Sequence, residues 1–397
     1  MIDFELLPAS EQGRQMVRAL AEGVFRPVSR YYDDHEHEKV QQLYDVVERM
    51  GVKTFKQGGG GKPDADGKRT SEPNVSLVVN MEELSWGDVG IMLCFPVRGL
   101  GNAAIDAVAT KEQKARFGGK FAAMAITEPG AGSDTASITT SARLDPETNE
   151  WILNGEKIFV TSGHHSEAVV VWATLDRSKG RAAIKSFVVE KGTPGITVTK
   201  LEHKLGIRAS DTASIVLQDC RIPYDNILGS PEITERREGL GGAMATFDAT
   251  RPGVAAMAIG VARASLEFTK EKLEREGYTF PYEVSQHKLN YVQRTVMEME
   301  ANLEVARLLN WRAASMLDYG LRNSLEASIA KAKAGRAATL VTQKCVELLG
   351  PLGYSREWLA EKWMRDSKIT DIFEGTGQIQ MLVIARNILG FSREMLK

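Results

Sequence analysis

Long apolar runs are missing from this chain of 397 residues. The longest, Gly253–Ala262 (GVAAMAIGVA), falls far short of the roughly 20 residues that a membrane span requires, so no membrane-embedded function is expected. Cysteine is scarce. Cys94, Cys220 and Cys345 are odd in number and far apart, without a Cys-x-x-Cys pair or a Cys/His cluster. That spacing supports neither a disulfide framework nor a zinc site, and no metal is expected. Reduced cysteines favour a reducing compartment. The opening MIDFELLPASEQGRQ carries acids and no apolar core, so it does not read as a secretory signal, and a cytoplasmic location is expected. An excess of one charge is missing too. Fifty Lys and Arg against 52 Asp and Glu leave a net charge of -2, which gives no bulk electrostatic case for binding nucleic acid or an anionic membrane surface. What remains is an ordinary globular balance, 43% hydrophobic and 26% charged. The length suggests two to three domains, at about 100–200 residues each.

The texture of the chain changes twice. Residues 1–120 read as helical. PASEQGRQMVRALAEGVF places Met16, Val17, Leu20, Ala21 and Val24 at helical spacing behind Ser10 as an expected N-cap. Residues 121–235 switch to short β-rich runs: FAAMAIT, SITTSARL, WILNGEKIFV, AVVVWATL, SFVVEKG, ITVTKL and ASIVLQDC. Asn154-Gly155 inside one of them is a hairpin signal. An antiparallel β-domain of about seven strands is expected, with no βαβ alternation. Residues 236–397 return to long amphipathic helices, exemplified by Val292, Val296, Met299, Leu303 and Ala306, and suggest a four-helix bundle.

Two glycine-rich motifs fail on context. Gly58–Gly61 with Lys62 and Gly67-Lys68 has the wrong spacing for a phosphate loop, since Arg69 stands where a Ser or Thr is required. It reads as a surface loop. Gly99-Leu100-Gly101-Asn102-Ala103-Ala104 matches GxGxxA but has helical flanks rather than a βαβ unit, so a close helix–helix contact is expected there.

Three others can carry chemistry. Thr127–Asp134 (TEPGAGSD) follows a strand, and its glycines and hydroxyls can bring N–H and O–H groups to a planar or anionic ligand. A tight turn is the plainer alternative. Phe373–Gln378 (FEGTGQ) interrupts a helical pattern and sets a carboxylate, Glu374, among Gly, Thr and an aromatic. Desolvation there would raise its pKa toward the working pH of a general base; a helix break with a capping Glu is the alternative. Phe247–Pro252 (FDATRP) reads as a helix start, with Asp248 or Thr250 as cap and Pro252 in the first turn.

Taken in order, TEPGAGSD, the KIFVTSG strand at Lys157–Gly163, FDATRP and DIFEGTGQIQ at 371–380 resemble the signatures of the acyl-CoA dehydrogenases over essentially the whole chain. The resemblance implies an α+β protein with an N-terminal helical domain, a middle antiparallel β-domain and a C-terminal four-helix bundle. It implies FAD between the last two, an acyl-CoA substrate, and electrons passed to an electron-transferring flavoprotein. Glu374 matches the catalytic base, which takes the pro-R α-proton while the β-hydride moves to flavin N5, leaving a trans-2-enoyl-CoA. Some branches place the base just before the helix arginine; here that position is Thr250, so Glu374 has no rival. Met124, Ile126, Thr127, Gly132 and Ser133 match the strand and loop edging the isoalloxazine ring. Phe159 and Thr161 match the second flavin strand, where many relatives carry Trp in place of Phe159. Thr376 and Gln378 match flavin contacts beside the base. Ser133, Asp248, Arg251 and Arg322 match positions that hold CoA.

At the adenosine end the family reaches across a dimer with an Arg, matched by Arg275, and a Gln, for which Gln286 keeps the expected spacing while the following helix aligns best with Asn290 there. Glu347 and Gly350-Pro351 replace a Gln and a Gly-Gly pair. A carboxylate near a pyrophosphate is unfavourable, and proline removes an N–H donor. A homotetramer built as a dimer of dimers is implied, with an unlike partner chain as one alternative and an acyl-CoA oxidase as another.

Overall fold

A computed structural model describes residues 5–50, 70–96, 98–233, 238–392 and Met395. The glycine-rich stretch at Gly58–Gly61 and Gly67-Lys68 lies outside the described residues. Among the described residues, six α-helices come first. α1 (Pro8–Leu20) starts one turn earlier than expected: Leu7 is its N-cap and Ser10 is buried inside it. Pro8 suits that start because a first-turn residue needs no N–H partner. A π-helical turn (Ala21–Phe25) leads into α2 (Arg26–Asp34) and places Ala21 and Phe25 in the core, whereas Met16 is 62% exposed. α3 (Gln41–Met50), α4 (Pro73–Met92), α5 (Leu100–Val108) and α6 (Lys111–Phe117) follow. α4 is interrupted at Asp88, where the backbone is extended and Oδ1 accepts the Ile91 N–H at 2.8 Å, an internal cap. Gly99 and Gly101 serve a helix-to-strand contact rather than the expected helix–helix one: a Cβ on Gly101 would run into the carbonyl oxygens of Ala122 and Ala123.

The seven β-rich runs form the strands of one sheet: β1 (Ala122–Ala125), β2 (Ser141–Asp145), β3 (Glu150–Thr161), β4 (Ala168–Thr174), β5 (Ile184–Glu190), β6 (Ile196–Leu201) and β7 (Thr212–Pro223). The order is β1-β4-β2-β3-β7-β6, with β5 also on β4. Most pairs are antiparallel, but β4 runs parallel to both β1 and β2. The β2–β3 hairpin intervenes and returns the chain in its original direction, a crossover that a purely antiparallel reading omits. Asn154-Gly155 is no hairpin turn. It lies within β3 at a bulge, where Asn154 exchanges hydrogen bonds with Asp219 of β7 at 2.8 and 3.1 Å. The β2–β3 turn instead uses Asn149, at φ 55°.

The remaining helices are α7 (Glu238–Arg275), α8 (Tyr291–Asp318), α9 (Ser324–Leu349), α10 (Pro351–Tyr354), α11 (Ala360–Ser367) and α12 (Gly377–Leu389). α7, α8 and α9 close around a shared core rich in alanine, including Ala255, Ala258, Ala327, Ala330 and Ala334, and α12 packs on α9. Pro252 sits inside α7, not at its start, so Asp248 and Thr250 are interior residues rather than caps. The proline removes the N–H that would bind the Asp248 carbonyl, yet packing of the following alanine-rich turns carries the helix through. Asn290 caps α8, accepting the Gln293 N–H at 2.9 Å. Among the described residues no helix is long and apolar enough to cross a membrane.

Candidate active site

The turn between α11 and α12 departs from helical geometry at Glu374 (φ 53°) and Gly375 (φ 90°). A side chain at Gly375 would be strained by its φ and would meet the Gln380 amide at 2.6 Å. This turn brings Glu374 against α7, where Thr250 Oγ1 donates to Glu374 Oε2 at 2.6 Å. Burial raises the Glu374 pKa; Thr250 and the positive charges of Lys331 and Arg251 pull it back. Lys331, fully buried on α9, donates from Nζ to the Gly375 carbonyl at 2.6 Å. Gln380 Nε2 donates to the same oxygen at 3.1 Å. Thr376 caps α12 by accepting the Ile379 N–H at 3.3 Å, and Gln378 is exposed in its first turn.

One turn along α7 lies a polar cluster. Arg251, 5% exposed, donates to Asp248 Oδ1 at 2.5 Å and to Ser328 Oγ at 3.4 Å. Ser324 donates to the other Asp248 oxygen, and Arg322 Nε donates to Ser324 Oγ at 3.4 Å. Asp248, Arg251 and Arg322 are therefore joined through two α9 serines that the sequence did not single out. Burial lowers the Arg251 pKa, and Asp248 and Glu374 oppose the shift.

The β-domain contributes the third component. Met124 lies on β1, with Ile126 and Thr127 just beyond its end, and the Thr127 carbonyl accepts the Ile158 N–H at 2.9 Å. This ties TEPGAGSD to β3 beside Phe159. A buried pair fixes the loop from beneath: Lys157 Nζ donates to Glu128 Oε1 at 2.8 Å and to the Ile126 carbonyl at 3.1 Å. Glu128 also accepts from the Thr139 and Thr140 N–H groups at 2.6 and 2.9 Å. Burial pushes Glu128 up, but the Lys157 and Thr140 bonds win and bring it to about 2; burial takes Lys157 down to about 8. Above this base Phe159 presents its ring at 60% exposure from φ 56°, and Ser133 is exposed. A Cβ on Gly130 or Gly132 would meet nothing within 4 Å, so the loop's outer surface is open. An aromatic face, hydroxyls at Thr127, Ser133 and Thr161 and open main chain form a donor set suited to a planar, mixed donor–acceptor ring such as a flavin.

The family profile described as "Acyl-CoA dehydrogenase, N-terminal domain" matches residues 8–125, that of the middle domain 123–220, and that of the C-terminal domain 237–389. The chain belongs to the acyl-CoA dehydrogenase family. It is 34% identical over 397 residues to the short-chain specific acyl-CoA dehydrogenase of Clostridium acetobutylicum, covering 98% of this chain and 100% of that one. It is 42% identical over 273 residues to the mitochondrial short-chain specific acyl-CoA dehydrogenase of Rattus norvegicus, covering 68% of this chain and 64% of the rat protein's length. A chain solved in work on the electron transferring flavoprotein of Acidaminococcus fermentans superposes with a TM-score of 0.83 at 32% identity, over 98% of this chain and 100% of that one.

Within this acyl-CoA dehydrogenase chain, Arg275 is not brought to the rest of the site. It lies about 37 Å from Thr250 along α7, at ~1.5 Å per residue, where its side chain is 66% exposed and pairs with Glu271. Glu347 does not present a bare charge. Lys344 Nζ lies 2.7 Å from one of its oxygens and the Tyr291 hydroxyl 2.6 Å from the other. Sequence spacing also missed one group of possible metal ligands, Glu36, His37 and His203. The Glu36 carboxylate lies 2.9 Å from His203 Nδ1, and Lys204 and Arg208, at 3.6 and 3.5 Å, already balance its charge.

Proposed function

We propose that this protein is an FAD-dependent dehydrogenase of short-chain acyl-CoA thioesters, with Glu374 as the base and an electron-transferring flavoprotein as electron acceptor. The observation that carries this reading is the Glu374 carboxylate held by Thr250 between Arg251 and Lys331. Burial makes it a stronger proton acceptor than a solvated carboxylate, and the hydroxyl fixes its orientation. Glu374 would take the α-proton of the thioester, forming a new O–H bond, while the α-C–H electron pair becomes the second bond of a trans-2-enoyl product. FAD, when bound, supplies the acceptor for the β-hydride. The strand and loop from Met124 to Ser133, with Phe159 and Thr161, would hold its ring system, and Thr376 and Gln378 would meet it at the start of α12. Arg251, Asp248 and Arg322 would orient the CoA portion, with Ser133 from the β-domain. The short-chain preference is carried over from the Clostridium and rat relatives, and the electron acceptor from the family resemblance and the Acidaminococcus work.

Assembly as a homotetramer is part of the same proposal. A neighbouring copy must bring Arg275 to the adenosine end, because its own chain holds it too far away. Met381, Leu382, Ile388 and Leu389 leave an apolar surface on α12, at 36–62% exposure, for such a neighbour to cover. The pairing of Glu347 with Lys344 supports a homo-oligomer that retains FAD over a subunit with an incomplete site. Three free cysteines fit a reducing, cytoplasmic setting.

The test is the visible spectrum of the purified chain under anaerobic conditions. One flavin per chain, bleached by butyryl-CoA and reoxidised by an electron-transferring flavoprotein faster than by air, is the expected result. Absence of flavin, or reoxidation by oxygen alone, would overturn the proposal.

A further inference from the structure

We propose that Lys331 is the positioning residue of the catalytic turn: its ammonium group holds the Gly375 carbonyl and, across the turn, keeps Glu374 in its proton-accepting form. This rests on the reading of Glu374 as the base.

A buried ammonium needs a reason to be there. Lys331 is 0% exposed in mid-α9, between Ala327, Ala330 and Ala334 of the bundle core. Transfer of an uncompensated ammonium to such surroundings is costly. Its hydrogen bond goes to a main-chain oxygen, Gly375 O at 2.6 Å, and among the described residues it forms no ion pair within 4.0 Å. A lysine that only neutralised an acid would contact a carboxylate. This one instead grips the backbone of the residue after the base, where Glu374 and Gly375 both hold positive φ. A non-glycine residue stays in that conformation only when its surroundings enforce it. Gln380 supports the same oxygen at 3.1 Å, and Thr250 fixes the far end of the Glu374 side chain at 2.6 Å. The turn is thus pinned at its carbonyl by α9 and at its carboxylate by α7.

Charge acts in the same place. The groups bearing on Glu374 are Thr250 and Arg251 from α7 and Lys331 from α9. Those bearing on Lys331 are Asp371, Glu374 and Arg251. Burial lowers the Lys331 pKa to about 8 against the pull of Asp371 and Glu374. Lys331 is therefore protonated at neutral pH and loses its charge just above it. The rate should then be bell-shaped in pH, with an acid limb set by Glu374, whose pKa the Lys331 charge lowers, and an alkaline limb set by the weakening of the charge-assisted bond from Lys331 to the Gly375 carbonyl. A lysine that merely fills space gives no such alkaline limb.

The experiment measures single-turnover flavin reduction by butyryl-CoA against pH for the wild type, Lys331→Met and Lys331→Arg, alongside flavin content and Tm. Wild type should show a falling limb near pH 8. Lys331→Met should retain flavin, lose roughly tenfold or more in rate at neutral pH, shift its acid limb upward and lose the alkaline limb; one pKa unit corresponds to a tenfold change. Lys331→Arg should recover part of the rate and move the alkaline limb beyond the measured range. A Met variant with wild-type limbs overturns the proposal. If the Met variant does not fold, an Arg variant with an unchanged limb near pH 8 overturns it, and so does a wild type that is flat through that range. Glu374→Gln, assayed in parallel, reports separately on the base: bleaching by that variant defeats the reading of Glu374, whatever Lys331 does.

Discussion

Thr250 Oγ1 donates to Glu374 Oε2 at 2.6 Å, linking the middle of α7 to the turn before α12 across 124 residues of sequence. The bond favours the ionised carboxylate and opposes the upward pull of burial. Thr250→Val keeps the shape and removes the donor. The Glu374 pKa should rise further, so the acid limb of kcat/KM should move to higher pH while the alkaline limb changes little. A hydrogen bond to a charged group contributes about 1.5–3 kcal/mol, which bounds the loss on the acid side at roughly 10- to 100-fold. An unshifted limb would show that the hydroxyl does not act on the base.

Arg251 and Arg322 belong to one hydrogen-bonded cluster but differ in burial, so their substitutions should separate binding from folding. Arg251→Ala leaves Asp248 with the Ser324 hydroxyl but no ion-pair partner, and the stability loss should approach the lower end of the ~3–5 kcal/mol typical of a broken buried pair, because Asp248 keeps 25% exposure. KM for acyl-CoA should rise as well. Arg322→Ala, at an exposed position, should raise KM with Tm unchanged. Unaltered KM in both would confine the cluster to a structural role.

The Glu128–Lys157 pair supports the loop proposed to meet the flavin. Lys157→Met should cost about 3–5 kcal/mol and release flavin before the protein unfolds. Its pH dependence has a definite sign. Glu128 titrates near 2 in the fold against 4.5 unfolded, so the unfolded chain binds its proton first on acidification. Stability from this group should be complete above about 4.5 and drain away down to about 2. Flavin fluorescence in an acid titration would follow it, and Lys157→Met should flatten that window.

Glu347 is balanced by Lys344, which sets an order among three variants if neighbouring copies place this corner at the FAD diphosphate. Glu347→Gln alone should change flavin retention little. Lys344→Met should lower it by leaving Glu347 uncompensated, and the double substitution should restore it. Flavin content after dialysis at high salt measures all three; equal retention would place this corner away from the cofactor.

Much of this architecture is legible in local sequence. Seven β-rich runs lie in the seven strands because short stretches of β-branched and apolar residues bounded by turn residues depend on near neighbours. FEGTGQ stands out because glycines break an otherwise helical stretch. The misreadings at Asn154-Gly155 and Pro252 share one cause, a partner far along the chain. Asn154-Gly155 looks like a hairpin until Asp219 arrives from β7. Pro252 looks like a helix start until the alanine-rich packing of α7 on α9 carries the helix past it. Lys331 gave one faint signal, a charge amid the small residues of ASIAKA, and its meaning depends on Gly375, 44 residues away.

The most direct test is the anaerobic addition of butyryl-CoA to Glu374→Gln beside the wild type. Removing general-base help ordinarily costs about 10²–10⁴-fold, and the loss should be at least that large once a bound acyl chain excludes water from the turn. The account predicts that the variant folds with its flavin band intact and that the band bleaches in the wild type but persists in the variant over the same interval. Bleaching of the variant at a near-normal rate would contradict it.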